Sequence, residues 1–293
     1  MSDQRRSTRS RRLIFTLYGD YLRQRTDEVW VGSLIRLLEP LGMTDQAVRS
    51  TLSRMLRRGW FVTRRRGRHS YYSLTAKSRR LLAEGEQRLF APRRPRPWDG
   101  RWHLLDYSVP ERRRHLRDRL RQRLVWLGFG SLGSGSWISP YSVPEEVRSW
   151  LAQTGAARYV HVFAAECVCG DSSDLGARAW NLKGLEREYR AFLEAHQRQY
   201  HAARRDGAGG ALAPADAFAR RFALTQEFLD FPYLDPGLPE ELLPAGWPGE
   251  DVRRLFQEYH TLLAPQAGHF VDEVLSSAPG PARSRSEEHH EPA

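Results

Sequence analysis

Apolar residues recur at helical spacing near the start of the chain. Leu13, Leu17 and Tyr21 stand four residues apart, which predicts a helix over Leu13–Leu22. A second apolar stretch, Val29–Leu41, predicts another helix, broken at its end by a proline and a glycine. Two helices therefore open the first predicted domain.

The third apolar segment has two distinct faces. Thr44 is a good N-cap and Gly59 a natural residue beyond the last turn, so a helix is expected to run up to Arg58. At about 100° per residue, its apolar face holds Val48, Leu52, Met55 and Leu56, and the opposite face holds Gln46, Arg49, Ser50, Ser53 and Arg57. Gln and Arg form bidentate hydrogen bonds with adenine and guanine edges, as in a DNA recognition helix. A plain surface helix has the same pattern, so the helix alone does not decide.

A strand, a basic turn and a return strand follow. Trp60–Thr63 and His69–Leu74 have strand composition, and Arg64–Arg68 between them holds four arginines. Thr75 then caps a predicted helix over Ala76–Phe90. Three helices and a hairpin with a basic tip form a winged helix-turn-helix, whose second helix of the turn unit enters the major groove. Because clustered arginines repel one another unless a polyanion neutralises them, DNA binding is favoured over a winged helix that binds protein.

Two groups of side chains are expected at DNA. The third helix would present its polar face to base edges, while its last arginine and those of the hairpin would mostly meet phosphates. The expected DNA-contacting residues are Thr44, Gln46, Arg49, Ser50, Ser53, Arg54, Arg57, Arg64, Arg65, Arg66, Arg68, His69 and Tyr71.

The distribution of charge agrees with this assignment. The formal net charge is +11, yet residues 1–98 hold 23 basic and 8 acidic side chains, and residues 99–293 hold 23 and 27. The basic excess therefore belongs to the first third, as expected where nucleic acid binds. Two cysteines, Cys167 and Cys169, exclude a disulfide framework. Neither a signal peptide nor a membrane helix is predicted, so a cytoplasmic protein is expected.

Five stretches of the chain carry a resemblance to a known family. They are LYGDYLRQR (17–25), EVWVGSLIRLLEPLGM (28–43), AVRSTLSRMLRRGW (47–60), RRGRHSYYSLTAKSRRL (65–81) and LPEELLPAGWPG (238–249). The chain resembles the PaaX-type transcriptional regulators, repressors of phenylacetic acid degradation operons. The resemblance implies operator binding by the winged domain and release of repression by an aryl-acetyl coenzyme A, phenylacetyl-CoA; another acyl-CoA is an open alternative. A homodimer on an inverted repeat is expected.

A proline- and arginine-rich linker, APRRPRPW (91–98), leads to a middle domain. There the predicted strands and helices alternate as at the start of a ferredoxin-like sandwich: 102–109, 111–126, 127–139, 144–154 and 159–168. This part also resembles the small Cas2 family, with Asp106 at the end of the first strand matching that family's metal-supporting aspartate. A metal-dependent nuclease using Asp106 is therefore the alternative function. A structural and dimerising role is favoured, because one carboxylate seldom makes a metal site.

Other motifs point away from catalysis. Gly128–Gly133 matches G-x-G-x-x-G, but a dinucleotide site needs a strand before it and a helix opening from it. No Ser-His-Asp, Cys-His or paired-carboxylate arrangement stands out, so no catalytic residue, metal or cofactor is expected.

The last third is predicted to be a helical bundle, with helices over 175–205, 214–231, 250–263 and 267–275. Arginines beside an apolar pocket would suit the phosphates of CoA. The arginines proposed for the effector are Arg112, Arg113, Arg117, Arg121, Arg187 and Arg190. The basic helix of the middle domain is equally typical of a solvated face, so this assignment stays open.

The predicted fold class is α+β and mostly helical, with an N-terminal winged helix-turn-helix, a ferredoxin-like (Cas2-like) middle domain and a C-terminal helical bundle. The expected segments are a basic disordered arm (1–12), the winged domain (13–90), the linker (91–98), the middle domain (99–170), the helical domain (171–275) and a disordered tail (276–293).

Overall fold

The structure, a computed structural model, describes residues 2–90, 97–205 and 212–279. Within them the chain forms two compact units. The first draws on the described residues of 2–90, 196–228 and 255–279, and the second on those of 97–195 and 229–254. The fold class is confirmed as mostly helical α+β, with two small antiparallel sheets. Most of the predicted linker and nearly all of the predicted C-terminal tail lie outside the described residues.

The N-terminal part of the first unit has the predicted order of helices and hairpin. Its elements are α1 (Ser2–Leu17), β1 (Val29–Trp30), α2 (Val31–Leu38), α3 (Asp45–Arg57), β2 (Phe61–Arg66), β3 (His69–Leu74) and α4 (Ala76–Phe90). The sheet order is β1-β3-β2, with both pairs antiparallel. The short β1 is an addition to the predicted elements.

The start of the chain differs from the prediction. A disordered arm is expected over residues 1–12, whereas α1 begins at Ser2 and continues into a wider helical turn over Tyr18–Leu22. Ile14 and Leu17 are buried in the core of the first unit. Because helix growth is cooperative, a turn fixed by such packing supports the turns before it, whatever their own charge.

The first half of the second unit is a four-stranded sheet with two helices. Its elements are β4 (Trp102–Tyr107), α5 (Arg114–Trp126), β5 (Gly130–Gly133), β6 (Ser136–Ser139), α6 (Glu145–Gln153) and β7 (Val160–Ala165). The strand order is β5-β6-β4-β7 and every pair is antiparallel. This β-α-β-β-α-β order is the ferredoxin-like motif. The segment predicted as one partly extended stretch, 127–139, forms a hairpin.

The two faces of this sheet are covered by different parts of the chain. One face packs against α5 and α6, with Leu105, Leu120 and Val147 completely buried. On the other face, Trp102 and Ile138 pack with Trp180 and neighbouring residues from the C-terminal third. Burial on both faces fixes the position of α5, the most arginine-rich helix of this unit.

Five helices complete the chain: α7 (Ser172–Ala179), α8 (Leu182–Arg205), α9 (Pro214–Phe228), α10 (Phe231–Leu234) and α11 (Gly249–Ser276). The single helix predicted over 175–205 is thus two helices, α7 and α8. The two helices predicted on either side of Pro265, over 250–263 and 267–275, form the single helix α11. Pro265 lies inside α11, where flanking Leu263 and Ala267 are fully buried. Packing on both sides holds the helix together across the hydrogen bond that proline removes. None of the described helices is long and apolar enough to span a bilayer.

The C-terminal helices do not form a separate body. Phe218 and Phe222 of α9 and Val271 and Val274 of α11 belong to one core with Leu17 and other residues of the N-terminal elements. The second unit likewise takes residues 229–254 from the last third of the chain. The spatial units therefore differ from the predicted segments 13–90, 99–170 and 171–275. The apolar stripes of α9 and α11 are visible in sequence, but the N-terminal residues that share their core, such as Leu17, are about 200 or more positions away.

Candidate nucleic-acid interface

The helix α3 is held by a cap at its start and an apolar stripe along one side. The Oγ1 of Thr44 accepts a hydrogen bond from the backbone N–H of Ala47 at 3.2 Å. Val48, Leu52 and Met55 are buried, with at most 1% exposure. The polar residues on the other side are exposed: Gln46, Arg49, Ser50, Ser53 and Arg57. The structure therefore brings together the predicted polar face on one rigid, well-anchored helix.

Two arginines of α3 have partners within the helix. Arg49 forms an ion pair with Asp45, one turn earlier, and both side chains are more than half exposed. Arg54 is half-buried and donates a hydrogen bond from Nη2 to the Oγ1 of Thr51 at 3.0 Å. Arg49 can exchange its carboxylate for a base edge or phosphate by a side-chain rotation. Arg54 is held at the side of the helix rather than on its exposed face.

The hairpin of β2 and β3 separates its arginines into two environments. Arg64 and Arg66 alternate along β2 and both pair with Glu28, at 3.4 and 2.5 Å. Arg65 points to the opposite face of the strand, and Arg68 follows Gly67 in the two-residue turn. Within the described parts of the chain, neither Arg65 nor Arg68 pairs with a carboxylate. These two keep their full positive charge for an external anion.

Two expected contacts on β3 face inward. Tyr71 is only 8% exposed, and its Oη donates a hydrogen bond to the carbonyl of Pro279 at 2.9 Å. The ring of His69 meets the ring of Trp30 edge-on, with centroids 5.6 Å apart. Both rings therefore serve the packing of the hairpin more than its exposed surface.

The acceptors Asp45 and Glu28 were missed by sequence reasoning. Asp45 lies four residues before Arg49 in the same helix, so helical spacing alone gives a signal for that pair. Glu28 is 38 residues from Arg66, and only the sheet pairing brings the two together. Arg58, exposed at the end of α3, was likewise not included among the expected contacts.

A buried charge cluster lies in the core of the first unit. Asp20 Oδ2 is 3.1 Å from Arg221 Nη1 and 3.3 Å from His260 Nε2, and Thr225 donates a hydrogen bond to the same carboxylate. Arg221 also donates from Nε to the carbonyl of His260. The cluster joins the turn after α1 to α9 and α11.

The cluster has a defined protonation state. Burial raises the pKa of Asp20, but the hydrogen bond from His260 and the charge of Arg221 outweigh it, so the pKa lies below its ordinary value. Burial lowers the pKa of His260 despite the opposing effect of Asp20. At neutral pH a neutral His260 donates from Nε2 to an ionised Asp20. Only one full charge pair, Asp20 and Arg221, is thus buried.

The arginines expected to bind an effector are dispersed. Arg117 pairs with Glu111 at 2.8 Å, Arg190 pairs with Glu186 at 2.7 Å, and Arg113 lies over the ring of Tyr159. The remaining three, Arg112, Arg121 and Arg187, are exposed. Three of the six are thus engaged with a carboxylate or an aromatic ring, and three face solvent.

Asp106 has a structural partner on the neighbouring strand. Its Oδ1 accepts a hydrogen bond from the Oγ of Ser136 at 2.7 Å. Over the described ranges, no group of three or more His, Cys, Asp or Glu side chains is placed to hold a metal ion. The geometry at Asp106 therefore gives no support to the nuclease alternative. Gly128–Gly133 likewise follows a helix and runs into strand β5, contrary to a dinucleotide site.

Three family models match successive parts of the chain. A model described as PaaX-like protein matches residues 8–78, the PaaX protein central Cas2-like domain matches 95–175, and the PaaX-like protein C-terminal domain matches 180–273. The chain is also 36% identical over 272 residues to the Transcriptional repressor PaaX of Escherichia coli (strain K12), covering 92% of this chain and 84% of the relative. The chain belongs to the PaaX family. The predicted resemblance, including the Cas2-like middle domain, is confirmed.

A solved structure has a similar fold to this PaaX-family chain. It is an uncharacterized protein, Rv0674, from Mycobacterium tuberculosis, which is 26% identical and matches with a TM-score of 0.51. The match covers 83% of this chain and 89% of that chain. The similarity thus extends across most of both molecules.

Proposed function

We propose that this PaaX-family chain is a sequence-specific DNA-binding transcriptional repressor. The N-terminal elements act as a winged helix-turn-helix, with α3 in the major groove and the β2–β3 hairpin as the wing. The observation that carries the proposal is the exposed polar face of α3 beside two wing arginines, Arg65 and Arg68, that have no carboxylate partner within the described chain.

The two surfaces make different contributions to binding. Gln46, Arg49, Ser50 and Ser53 face base edges and supply sequence preference, because Gln and Arg match adenine and guanine bidentately. Arg57 and the wing arginines meet phosphates, which sets the register and strengthens binding to any sequence. Thr44 keeps its role as the cap.

The name of the relative supports repression, and the family resemblance implies its release by an effector. The matched protein of Escherichia coli is named a transcriptional repressor, and we propose the same role for this chain, at an operon for the catabolism of an aromatic acid of the phenylacetate type. An aryl-acetyl-CoA such as phenylacetyl-CoA releases the DNA; a different acyl-CoA is the alternative. The protein acts in the cytoplasm as a homodimer, whose two α3 helices match half-sites one or more helical turns apart.

A gel shift on the DNA upstream of the protein's own gene tests the proposal. The full chain should retard this DNA at a salt concentration where random DNA of equal length stays free, and phenylacetyl-CoA should release it. Acetyl-CoA, other acyl-CoA esters and free CoA serve as the comparison set. Equal retardation of both DNAs would contradict sequence-specific binding, while failure of every ester would contradict the effector.

A further inference from the structure

A concave site on the second unit lies between α5 and α6. It has a volume of about 300 Å³ and is lined by Arg119, Gln122, Arg123, Trp126 and Trp150. The four residues from α5 stand at positions i, i+3, i+4 and i+7, so they form one stripe on that helix. None of the six arginines expected to bind an effector lines this site.

Arginine and tryptophan alternate around the opening. The guanidinium of Arg123 lies 4.9 Å from the centroid of the Trp126 ring, and that of Arg119 lies 5.9 Å from the Trp150 ring. Both distances are within the range of cation–π attraction. Trp126 is 50% exposed, which is unusual for so large an apolar side chain. Flat aromatic surface and positive charge therefore face the same space.

No carboxylate of the described residues neutralises the charge of this site. On the same helix, Arg114 pairs with Asp118 and Arg117 with Glu111. By contrast, Arg119 and Arg123 form no ion pair with any carboxylate in the described chain. The Nε of Arg123 is buried without an acceptor there, an arrangement that costs free energy unless a bound anion draws the guanidinium into a new position.

The chemistry of the lining defines the ligand. Guanidinium groups match phosphate oxygens in a bidentate manner, and indole rings stack on planar bases. A volume near 300 Å³ is at the low end for ligand sites, so only part of a large molecule fits. A purine base with its phosphates satisfies both features, whereas an uncharged acyl group satisfies neither arginine.

We propose that this site binds the adenine nucleotide end of a CoA-type ligand, with the base on Trp126 and the phosphates on Arg119 and Arg123. The ligand class rests on the proposed function, whereas the place and the orientation rest on the geometry of the site. The acyl end then extends beyond the site, so affinity here is independent of the acyl group.

Calorimetric titration of the full-length protein tests the site. Adenosine 3′,5′-bisphosphate, free CoA and phenylacetyl-CoA should all bind, and phenylacetate and inorganic phosphate should not. Arg119→Ala combined with Arg123→Ala should weaken binding of the bisphosphate at least about tenfold, and Trp126→Ala by roughly three- to thirtyfold. Arg114→Ala removes the same charge from another side of α5, where Arg114 pairs with Asp118, and should change binding less than about twofold.

The outcomes separate the site from the proposed function. Unchanged bisphosphate binding in the folded double variant, verified by circular dichroism, would overturn the site even if phenylacetyl-CoA still releases DNA. Binding of phenylacetyl-CoA without binding of CoA or the bisphosphate would overturn the orientation, as would equal binding of inorganic phosphate. Bisphosphate binding that the double variant loses would uphold the site, even if no ester released DNA. No binding by any of the nucleotides would overturn it.

Discussion

Two arginine-rich helices, one in each unit, differ in what surrounds their guanidinium groups. On α3, Arg49 is exposed among Gln and Ser side chains and pairs with Asp45. On α5, Arg119 and Arg123 lie over indole rings. In the proposed assignments, the same residue type meets a base edge on one helix and a small planar anion on the other. Neighbours, rather than the number of arginines, define the ligand.

A third environment completes the comparison. Arg221 is buried in the first unit, where Asp20 neutralises it and the carbonyl of His260 accepts its Nε–H. Such an arginine is unavailable to any external ligand and serves the fold. If these environments decide what each arginine does, removing the partner of the buried arginine should have the largest effect.

The largest effect is expected on replacing Asp20. Asp20→Asn should lower the free energy of unfolding by about 3–5 kcal/mol, because Arg221 would remain buried without its counter-charge. Urea unfolding followed by circular dichroism at neutral pH measures this difference. The matched control is the double variant Asp20→Asn with Arg221→Met. It no longer buries an unpaired charge, so it should recover a large part of the lost free energy of unfolding. A single variant as stable as the wild type would show that the pair is not needed.

The next effect concerns base recognition by α3. Arg49→Ala should cost about 1–3 kcal/mol of binding to the operator and much less on random DNA, since a bidentate base contact is lost. Fluorescence anisotropy with both DNAs measures the two affinities. Arg65→Ala is the matched control, because a phosphate contact should weaken binding to both DNAs by similar factors. If Arg49→Ala also weakened binding to operator and random DNA by similar factors, the assignment of α3 to the major groove would be wrong.

The buried histidine predicts a dependence of stability on pH. The pKa of His260 is below its ordinary 6.5 in the folded protein, so below that pH the unfolded chain binds a proton that the folded protein does not. Stability should therefore be full above about pH 7 and fall on acidification, by at most about 1.4 kcal/mol per pH unit for one proton. The lowered pKa of Asp20 adds a further loss only below about pH 4.

Urea unfolding between about pH 7.5 and 5 checks this sign. In His260→Gln the part of the slope due to this residue should disappear. A variant with the wild-type slope would contradict the assignment of a neutral, buried His260.

The smallest effect is a gain in DNA binding. Glu28→Gln should free Arg64 and Arg66 for phosphates and tighten binding to every sequence by roughly two- to fivefold. The salt dependence of binding should become steeper by the amount expected for about one additional phosphate contact. Anisotropy titrations at several salt concentrations measure both quantities. Glu39→Gln removes the same charge from an exposed position without these partners and is the control. An equal gain in both variants would indicate a general charge effect.

Features fixed by local spacing could be predicted from the sequence. The cap at Thr44, the buried stripe of α3 and the hairpin with its basic tip all depend on residues within about one or two turns of one another. The stripe of Arg119, Gln122, Arg123 and Trp126 also had this signal, since helical spacing places them together. Charge alone points to other arginines of α5 as effector ligands, whereas the aromatic neighbours distinguish this stripe from them.

Features fixed by distant residues could not be predicted in this way. The pairing of Glu28 with Arg66 depends on strand register, and the contact of Asp20 with Arg221 and His260 joins residues about 200 positions apart or more. Periodicity shows that a helix has an apolar face but does not name the partner of that face. For this reason the sharing of the C-terminal helices between the two units was absent from the predicted segments.

The core shared by Leu17 and Val271 has a consequence for biosynthesis. At a translation rate of about 5–20 residues per second, the two residues leave the ribosome roughly 10–50 s apart. Until α9 and α11 emerge, the part of this core that the N-terminal elements contribute is incompletely covered. A nascent or prematurely terminated chain would therefore present α3 on an incomplete scaffold. Only the finished polypeptide would present that helix firmly, so incomplete copies would be poor competitors for the same DNA.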